Sequence, residues 1–314
     1  MAFGTNVYKE IVHRNIDRKR EEEQKQRSET VSPEAIKKAR DMLKSNRVNI
    51  SDFNDLEGYG DAEIARDTAQ VKRIEQQIVN QASSRSKENT DLAVVLEAMF
   101  YEHSEQSYWL GENASTVLTS RFDDLINGID TVVEFKEQED EKKSNPSSHL
   151  GLAVDATFGR QSIQKKLLRI KQEISNGIMP EVKYFQSEDS DFKGKLKDIP
   201  RVVIGAEADT IKELAELWCP NEEAKEKESP ESRRDALKKH QIQFQILEEI
   251  LIQLDAFAKY AKREKQNEIA EVYESAYAQI KAIFTAKHES ADLEDQDKRD
   301  IIFGKIQEGL SVFQ

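Results

Sequence analysis

Apolar residues recur every three or four positions in the first and last thirds of the chain, a spacing that predicts amphipathic helices. Ser32 followed by Pro33 predicts the beginning of one of them, because serine caps a helix and proline suits its first turn. The helices predicted before residue 90 span 7–30, 33–44 and 61–82, and the polar stretch 83–90 is predicted as a linker.

The middle of the chain changes to short β-branched runs, which predict strands. The Asn127–Gly128 pair between the first two runs predicts a hairpin turn. The predicted strands are 116–120, 129–135, 150–158, 182–186 and 201–205, and the predicted helices are 91–110, 161–175 and 210–218. The resulting order of central elements is helix, three strands, helix and further strands.

The last third is predicted to be helical beyond a charged linker at 221–234. Apolar residues from Leu237 to Ala261 alternate in steps of three and four, as in a heptad pattern. A second helix around Ile269–Ile283 is expected to fold back on this one, with homodimerisation through the C-terminal helices as the second choice, and a short helix is expected within 294–313. These patterns predict an α+β protein with an N-terminal helical region at 1–90, a central α/β core at 91–220 and a C-terminal helical hairpin at 221–314.

Composition excludes several classes of protein. In 314 residues there is no apolar run of about 18, which argues against a membrane helix, and the N-terminus lacks an apolar signal core. The single cysteine excludes an internal disulfide framework and a cysteine-based zinc site, so a cytoplasmic location is expected. A net charge of −13 argues against non-specific coating of nucleic acid but allows a local basic groove.

Two carboxylates lie where strands are predicted. Asp130 begins the second predicted strand, in GIDTVVEF, and Asp155 lies in the third, in LAVDATF. A buried carboxylate needs a compensating partner, and two that approach on paired strands raise each other's pKa unless a cation neutralises them. Mg²⁺ suits such a pair, because it prefers oxygen ligands and often takes only one or two carboxylates.

The order of elements and these two acids resemble the PD-(D/E)XK nuclease superfamily, which has a restriction-endonuclease-like fold. The resemblance covers roughly residues 91–205 and implies a central mixed sheet flanked by helices. It also implies hydrolysis of phosphodiester bonds in DNA or RNA, with Mg²⁺ or Mn²⁺ held by Asp130, Asp155 and the backbone carbonyl of Ala156.

The chain departs from this family at Thr157, where the motif has lysine. In some members the lysine lies on the following helix. On a helical wheel Lys166 flanks the buried face of 161–175 and Lys165 points nearly opposite, so Lys166 is the expected assistant of the attacking water. The alternative is a catalytically degenerate fold that serves as a non-enzymatic interaction or scaffold protein.

Family members often carry a glutamate on the first core helix, and Glu102 is preferred over Glu105 for this role because it flanks the apolar face. Both can equally be solvated helix residues. His103 is expected to be a core histidine, and Glu134 is either a further neighbour of the metal or a partner of Lys136. Turn geometry explains Asp123 and Asp124 at least as well as catalysis does, and the basic residues of helix 161–175 are best explained as a charged outer face.

Overall fold

The computed structural model describes residues 31–81, 84–136, 148–154, 160–290 and 299–314. Within these ranges the protein mixes helices with two small sheets. Its helices are α1 (Pro33–Asn46), α2 (Asp61–Gln81), α3 (Ser84–Gln106), α4 (Arg160–Ser175), α5 (Ala208–Trp218), α6 (Glu222–Lys227), α7 (Pro230–Lys239), α8 (Ile242–Arg263), α9 (Asn267–Ser290) and α10 (Ile301–Gly309). Its strands are β1 (Ala114–Leu118), β2 (Thr131–Phe135), β3 (Ser148–Val154), β4 (Val182–Gln186), β5 (Lys193–Leu196) and β6 (Arg201–Ile204).

The larger sheet has the strand order β1-β2-β3-β6. The first three strands pair antiparallel, with Val133 opposite Thr116 on one side and Leu150 on the other. Strand β6 then pairs parallel to β3, with Val202 opposite Leu152. Helix α4 lies between β3 and β6 in sequence, and this supplies the crossover that a parallel pair needs. Strands β4 and β5 form a separate antiparallel pair, and β5 is not predicted from the sequence.

The connection from β1 to β2 differs from the predicted Asn-Gly hairpin turn. Residues Asp123–Asn127 form a π-helical turn, and Gly128 ends it in the left-handed conformation at φ 66° and ψ 40°. The buried carboxylate of Asp123 accepts hydrogen bonds from Ser120, Asn127 and the backbone amides of Lys183 and Tyr184. Asp123 is therefore structural, and it fixes the turn that leads to β2.

The predicted C-terminal hairpin is confirmed. The turn 264–266 joins α8 to α9, and the two helices pack antiparallel. The rings of Phe257 and Tyr273 lie 5.4 Å apart near the turn, and those of Phe244 and Phe284 lie 6.5 Å apart at the far end. The heptad stripe is not one helix, however, because His240 adopts an extended conformation between α7 and α8.

Both predicted linkers are wrong where the structure describes them. Residues 84–90 belong to α3, and much of 221–234 forms α6 and the first half of α7. Asn221 and Ser229 cap these two helices, and Pro230 occupies the first turn of α7. High charge made both segments look unstructured, but exposed helices tolerate charge well.

One continuous cluster of buried apolar side chains runs from Val31 through the sheet to Phe313. Residues of all three predicted regions contribute to this cluster. Among the helices of the described ranges, none is both long and apolar enough to cross a membrane. The predicted helix at 7–30 and residues 155–158 of the predicted third strand lie outside the described residues.

Candidate functional site

Asp130 is held at the entrance to β2, next to the end of β1. Its backbone carbonyl accepts hydrogen bonds from the amide and the hydroxyl of Thr119, both at 3.1 Å. The residue retains some exposure, but its carboxyl is desolvated. The pairing of β1 with β2 thus places this carboxyl at the mouth of the connection between the two strands.

Three further carboxylates and two arginines from other elements complete a network around Asp130. Arg47 donates to Glu97 of α3 at 2.6 Å and lies 3.1 Å from the carboxylate of Asp124. Arg121 also bonds Asp124, and its Nε donates to Glu75 of α2 at 3.0 Å. The two arginines therefore alternate with Glu97, Asp124 and Glu75 in one chain of ion pairs, which joins α2, α3 and the β1–β2 connection.

The pKa values of two carboxyls in this network are raised. Burial raises the pKa of Asp130 well above its usual range, and the nearby charges of Asp124 and Glu97 add to the effect. A hydrogen bond with Asp124 favours the protonated form further. Burial also raises the pKa of Glu97 to about 7, despite the opposing charge of Arg47. Such strong shifts are typical of functional sites, although structural ion-pair networks produce them too.

Lys166 of α4 lines a small cavity together with Asp130. Its positive charge acts to lower the pKa of Asp130, in opposition to the carboxylates. This cavity has a volume of about 180 Å³ and is lined by residues of α4 and of the β1–β2 connection. Its charged lining consists of Asp124, Asp130, Lys166, Arg169 and Arg201. By contrast, Lys165 is exposed, as the helical wheel indicates.

A larger groove of about 850 Å³ reaches the same network from the side of α1 and α2. Arg47, Glu97 and Arg121 form part of its lining, so the groove meets the ion-pair network directly. Its aliphatic lining comes from Leu43, Val48, Ile50 and Val94, and Arg40 and Lys44 add positive charge. The network thus lies between an open groove and a small cavity.

The structure places the other predicted residues elsewhere. The carboxylate of Glu102 accepts a hydrogen bond from the ring nitrogen of Trp218 at 2.7 Å, and Glu105 accepts from the amide of Thr116 at 2.6 Å. Glu134 is buried and accepts from the hydroxyl of Ser187, whereas Lys136 pairs with Asp189. These residues serve the packing of α3, β1 and β2, and neither Glu102 nor Glu105 takes the place that Glu97 occupies beside Asp124.

His103 lies in the core, as expected. Its Nδ1 lies 2.9 Å from the hydroxyl of Ser107, and burial lowers its pKa to about 4. Asp155, Ala156 and Thr157 lie outside the described residues.

The sequence interpretation missed Glu97, Asp124 and Arg47. A signal for Glu97 was present, because it is the one charged residue in the apolar run LAVVLEAMF. A carboxylate kept among eight apolar neighbours in a helix needs a partner. Nothing comparable marks Arg47, which lies in a loop and reaches the site only because α1 packs against α3.

The donor set fits a divalent cation only in part. Asp130 fits, because a cation would favour its ionised form where neighbouring carboxylates disfavour it. Glu97 and Asp124 are already bound by arginine, and the described ranges contain no group of three or more His, Cys, Asp or Glu that could hold a metal. The other two ligands that the resemblance implies, Asp155 and Ala156, lie outside the described residues.

Comparison with protein-family models, with curated proteins and with solved structures gave no match.

Proposed function

We propose that this protein is a divalent-metal-dependent nuclease whose active site surrounds Asp130. The observation that carries the proposal is the carboxylate network at the start of β2, with Glu97 supplied by the preceding helix and Lys166 by the helix after β3. The order α3, β1, β2, β3, α4, β6 also agrees with the restriction-endonuclease-like arrangement, and β4–β5 would be an insertion.

Each residue of the site would have a separate role in the reaction. Bound Mg²⁺ or Mn²⁺, held by Asp130, Asp155 and the carbonyl of Ala156, would supply Lewis-acid assistance to phosphodiester hydrolysis. Lys166 favours the ionised form of Asp130, and its ammonium group can bind an anionic oxygen in the adjoining cavity. Glu97 can exchange a proton at neutral pH because its pKa is raised to about 7.

The 850 Å³ groove offers a path for the substrate to the site. Lys44 and Arg40, which also bonds Asp91, can attract phosphate groups despite Asp52 in the same lining, and the aliphatic lining can contact sugars and bases. This local groove reconciles a nucleic-acid substrate with the net charge of −13.

A catalytically degenerate scaffold is the second candidate function. Two observations favour it: threonine at position 157 of the motif, and the lack, within the described ranges, of a three-residue group that could hold a metal. A scaffold of this fold would keep the ion-pair network for stability alone. Metal binding and cleavage therefore decide between the two functions.

Calorimetric titration with Mn²⁺ tests the metal site. Wild-type protein should bind Mn²⁺, and both Asp130→Asn and Asp155→Asn should weaken binding by at least about tenfold, since each removes a ligand. Glu102→Gln is the matched control, because its carboxylate bonds Trp218 away from the network. If all four proteins give the same heat, the proposed metal site is excluded.

Cleavage of labelled single-stranded and duplex DNA and RNA with Mg²⁺ or Mn²⁺ tests the activity. We expect Lys166→Ala to lower kcat by roughly 100-fold or more, a range typical of lost acid–base or charge assistance. Lys165→Ala should retain nearly full activity, because its side chain is exposed on the same helix. Wild-type protein that binds Mn²⁺ but cuts none of these substrates would favour the scaffold.

A further inference from the structure

Two arginines hold the turn immediately before Asp130. Arg169 of α4 donates to the carbonyl oxygens of Ile126 and Asn127 at 3.3 and 3.0 Å. Arg201, the first residue of β6, donates to the same Asn127 oxygen at 2.6 Å. Two positive groups therefore converge on the carbonyls that end the π-helical turn.

Glu173 joins the two arginines to each other. Its carboxylate lies 3.1 Å from Nε of Arg169 and also bonds a terminal nitrogen of Arg201. The side chain of Arg201 is only 3% exposed, and burial lowers its pKa while Glu173 opposes that effect. A buried guanidinium bonded to both a carboxylate and a carbonyl has a well-defined position.

Glycine at position 128 suits both the left-handed conformation of the turn and its contact with Arg169. Gly128 has φ 66°, and a Cβ atom added there would lie 2.8 Å from a terminal nitrogen of Arg169. A side chain at position 128 would therefore strain the turn and displace the end of Arg169.

This contact also bears on the position of Asp130, which follows Gly128 by two residues. The amide of Ile129 donates to the carbonyl of Asp123, and the carbonyl of Asp130 accepts from Thr119. Asp130 is therefore held directly by the end of β1, and the arginines hold the turn that leads into it. Lys166 lies one helical turn before Arg169 on α4, so the arginine ties the helix that carries Lys166 to the turn that carries Asp130.

We propose that Arg169, Glu173 and Arg201 are positioning residues that set the place of Asp130 relative to Lys166. The importance of this placement for catalysis rests on the proposed nuclease function. The placement itself is a property of the fold and can be measured without activity. None of the three residues needs to touch the substrate, because all three act through the turn 126–128.

Hydrogen exchange in Arg201→Lys and Glu173→Gln tests the placement. Lysine keeps the charge but cannot bond Asn127 and Glu173 with the fixed fork of a guanidinium. The amides of Thr119 and Ile129 should exchange at least about tenfold faster in both variants, while the amides of α8 report global opening and should remain protected. Arg263→Lys is the matched control, since Arg263 also donates to a backbone carbonyl, that of Phe313, in a remote part of the fold.

The outcomes separate the two proposals. Faster exchange at Thr119 and Ile129 in the two variants but not in the control supports the positioning role, and unchanged exchange overturns it whether or not the protein cuts nucleic acid. If the wild type is active, kcat should fall at least tenfold in Arg201→Lys and Glu173→Gln with KM within twofold, and an unchanged kcat also overturns the role. Inactive wild-type protein refutes the nuclease alone, because the exchange data still decide the placement.

Discussion

Glu97 is a residue whose charge is expected to respond to pH near neutrality. Burial raises its pKa to about 7, whereas the ordinary value for an unfolded chain is about 4.3. Between these values the folded protein binds more protons than the unfolded chain, so ionisation of Glu97 lowers the free energy of unfolding as the pH rises through this window. Arg47 limits this loss, because it bonds the ionised form.

Replacement of Glu97 by glutamine should therefore make the protein relatively more stable at higher pH. The free energy of unfolding of Glu97→Gln minus that of wild type should increase between about pH 4.5 and 7.5, by about 1–3 kcal/mol, since one pKa unit corresponds to about 1.4 kcal/mol. Urea denaturation at several pH values, without added metal, measures this difference. If the difference in free energy of unfolding does not change over this pH range, the raised pKa of Glu97 is wrong.

Among the larger elements, α8 covers the outer edge of β6. Strand β6 ends the order β1-β2-β3-β6, so its outer backbone groups need partners. The side-chain amide of Gln253 supplies two of them: its oxygen accepts from the amide of Val203 at 2.9 Å, and its nitrogen donates to the carbonyl of Val203 at 2.6 Å. Glu249 accepts from the amide of Gly205 in the same way. The helix thus continues the sheet through its side chains.

Loss of these contacts should lower the free energy of unfolding. Gln253→Leu leaves the buried amide and carbonyl of Val203 without these partners, and we expect a loss of about 2–4 kcal/mol in the free energy of unfolding. Glu249→Gln is the control: burial raises the pKa of Glu249 well above its usual range, and the amide oxygen of glutamine can still accept from the amide of Gly205, so the change should cost less than about 1 kcal/mol. Denaturant titration of both variants measures the contrast, and equal losses would contradict this role of Gln253.

On the scale of the whole molecule, the C-terminal apolar stripe is used within one chain. Leu247 and Leu251 are buried in α8, and residues around almost the whole circumference of this helix are buried as well. They pack against α9, β6 and the terminal segment, where the rings of Phe257 and Phe313 lie 4.7 Å apart. A helix buried on all sides has little apolar surface left for a second copy.

The protein should therefore be a monomer. Light scattering at tens of micromolar should give the chain mass of 36.1 kDa. The double variant Leu247→Asp/Leu251→Asp should lose its cooperative unfolding transition, because it places two charges in the core. A species of twice the chain mass that becomes a folded monomer in this variant would show that α8 is an oligomer interface.

Local patterns predicted most helices and strands correctly. The α1 helix begins at Pro33 with Ser32 as its cap, and β4 spans the predicted residues 182–186. Caps, β-branched runs and helical spacing act over a few residues, so they can be identified without the rest of the fold. The choice of Lys166 over Lys165 as the side chain nearer the sheet depended on the same local spacing.

The composition of the site depended on contacts that no local pattern encodes. The sequence places Asp130 at the beginning of the second strand, but it favours Glu102 where α3 in fact presents Glu97, and it explains Asp124 as a turn residue. The high charge of 83–90 and 221–234 also predicts linkers, whereas the structure forms helices in both segments. By itself the sequence determined which segments form helices and strands. Only the tertiary structure decided which carboxylates are buried together and which arginines bond them. Desolvation and ion pairing depend on elements that are distant in sequence and pack against one another.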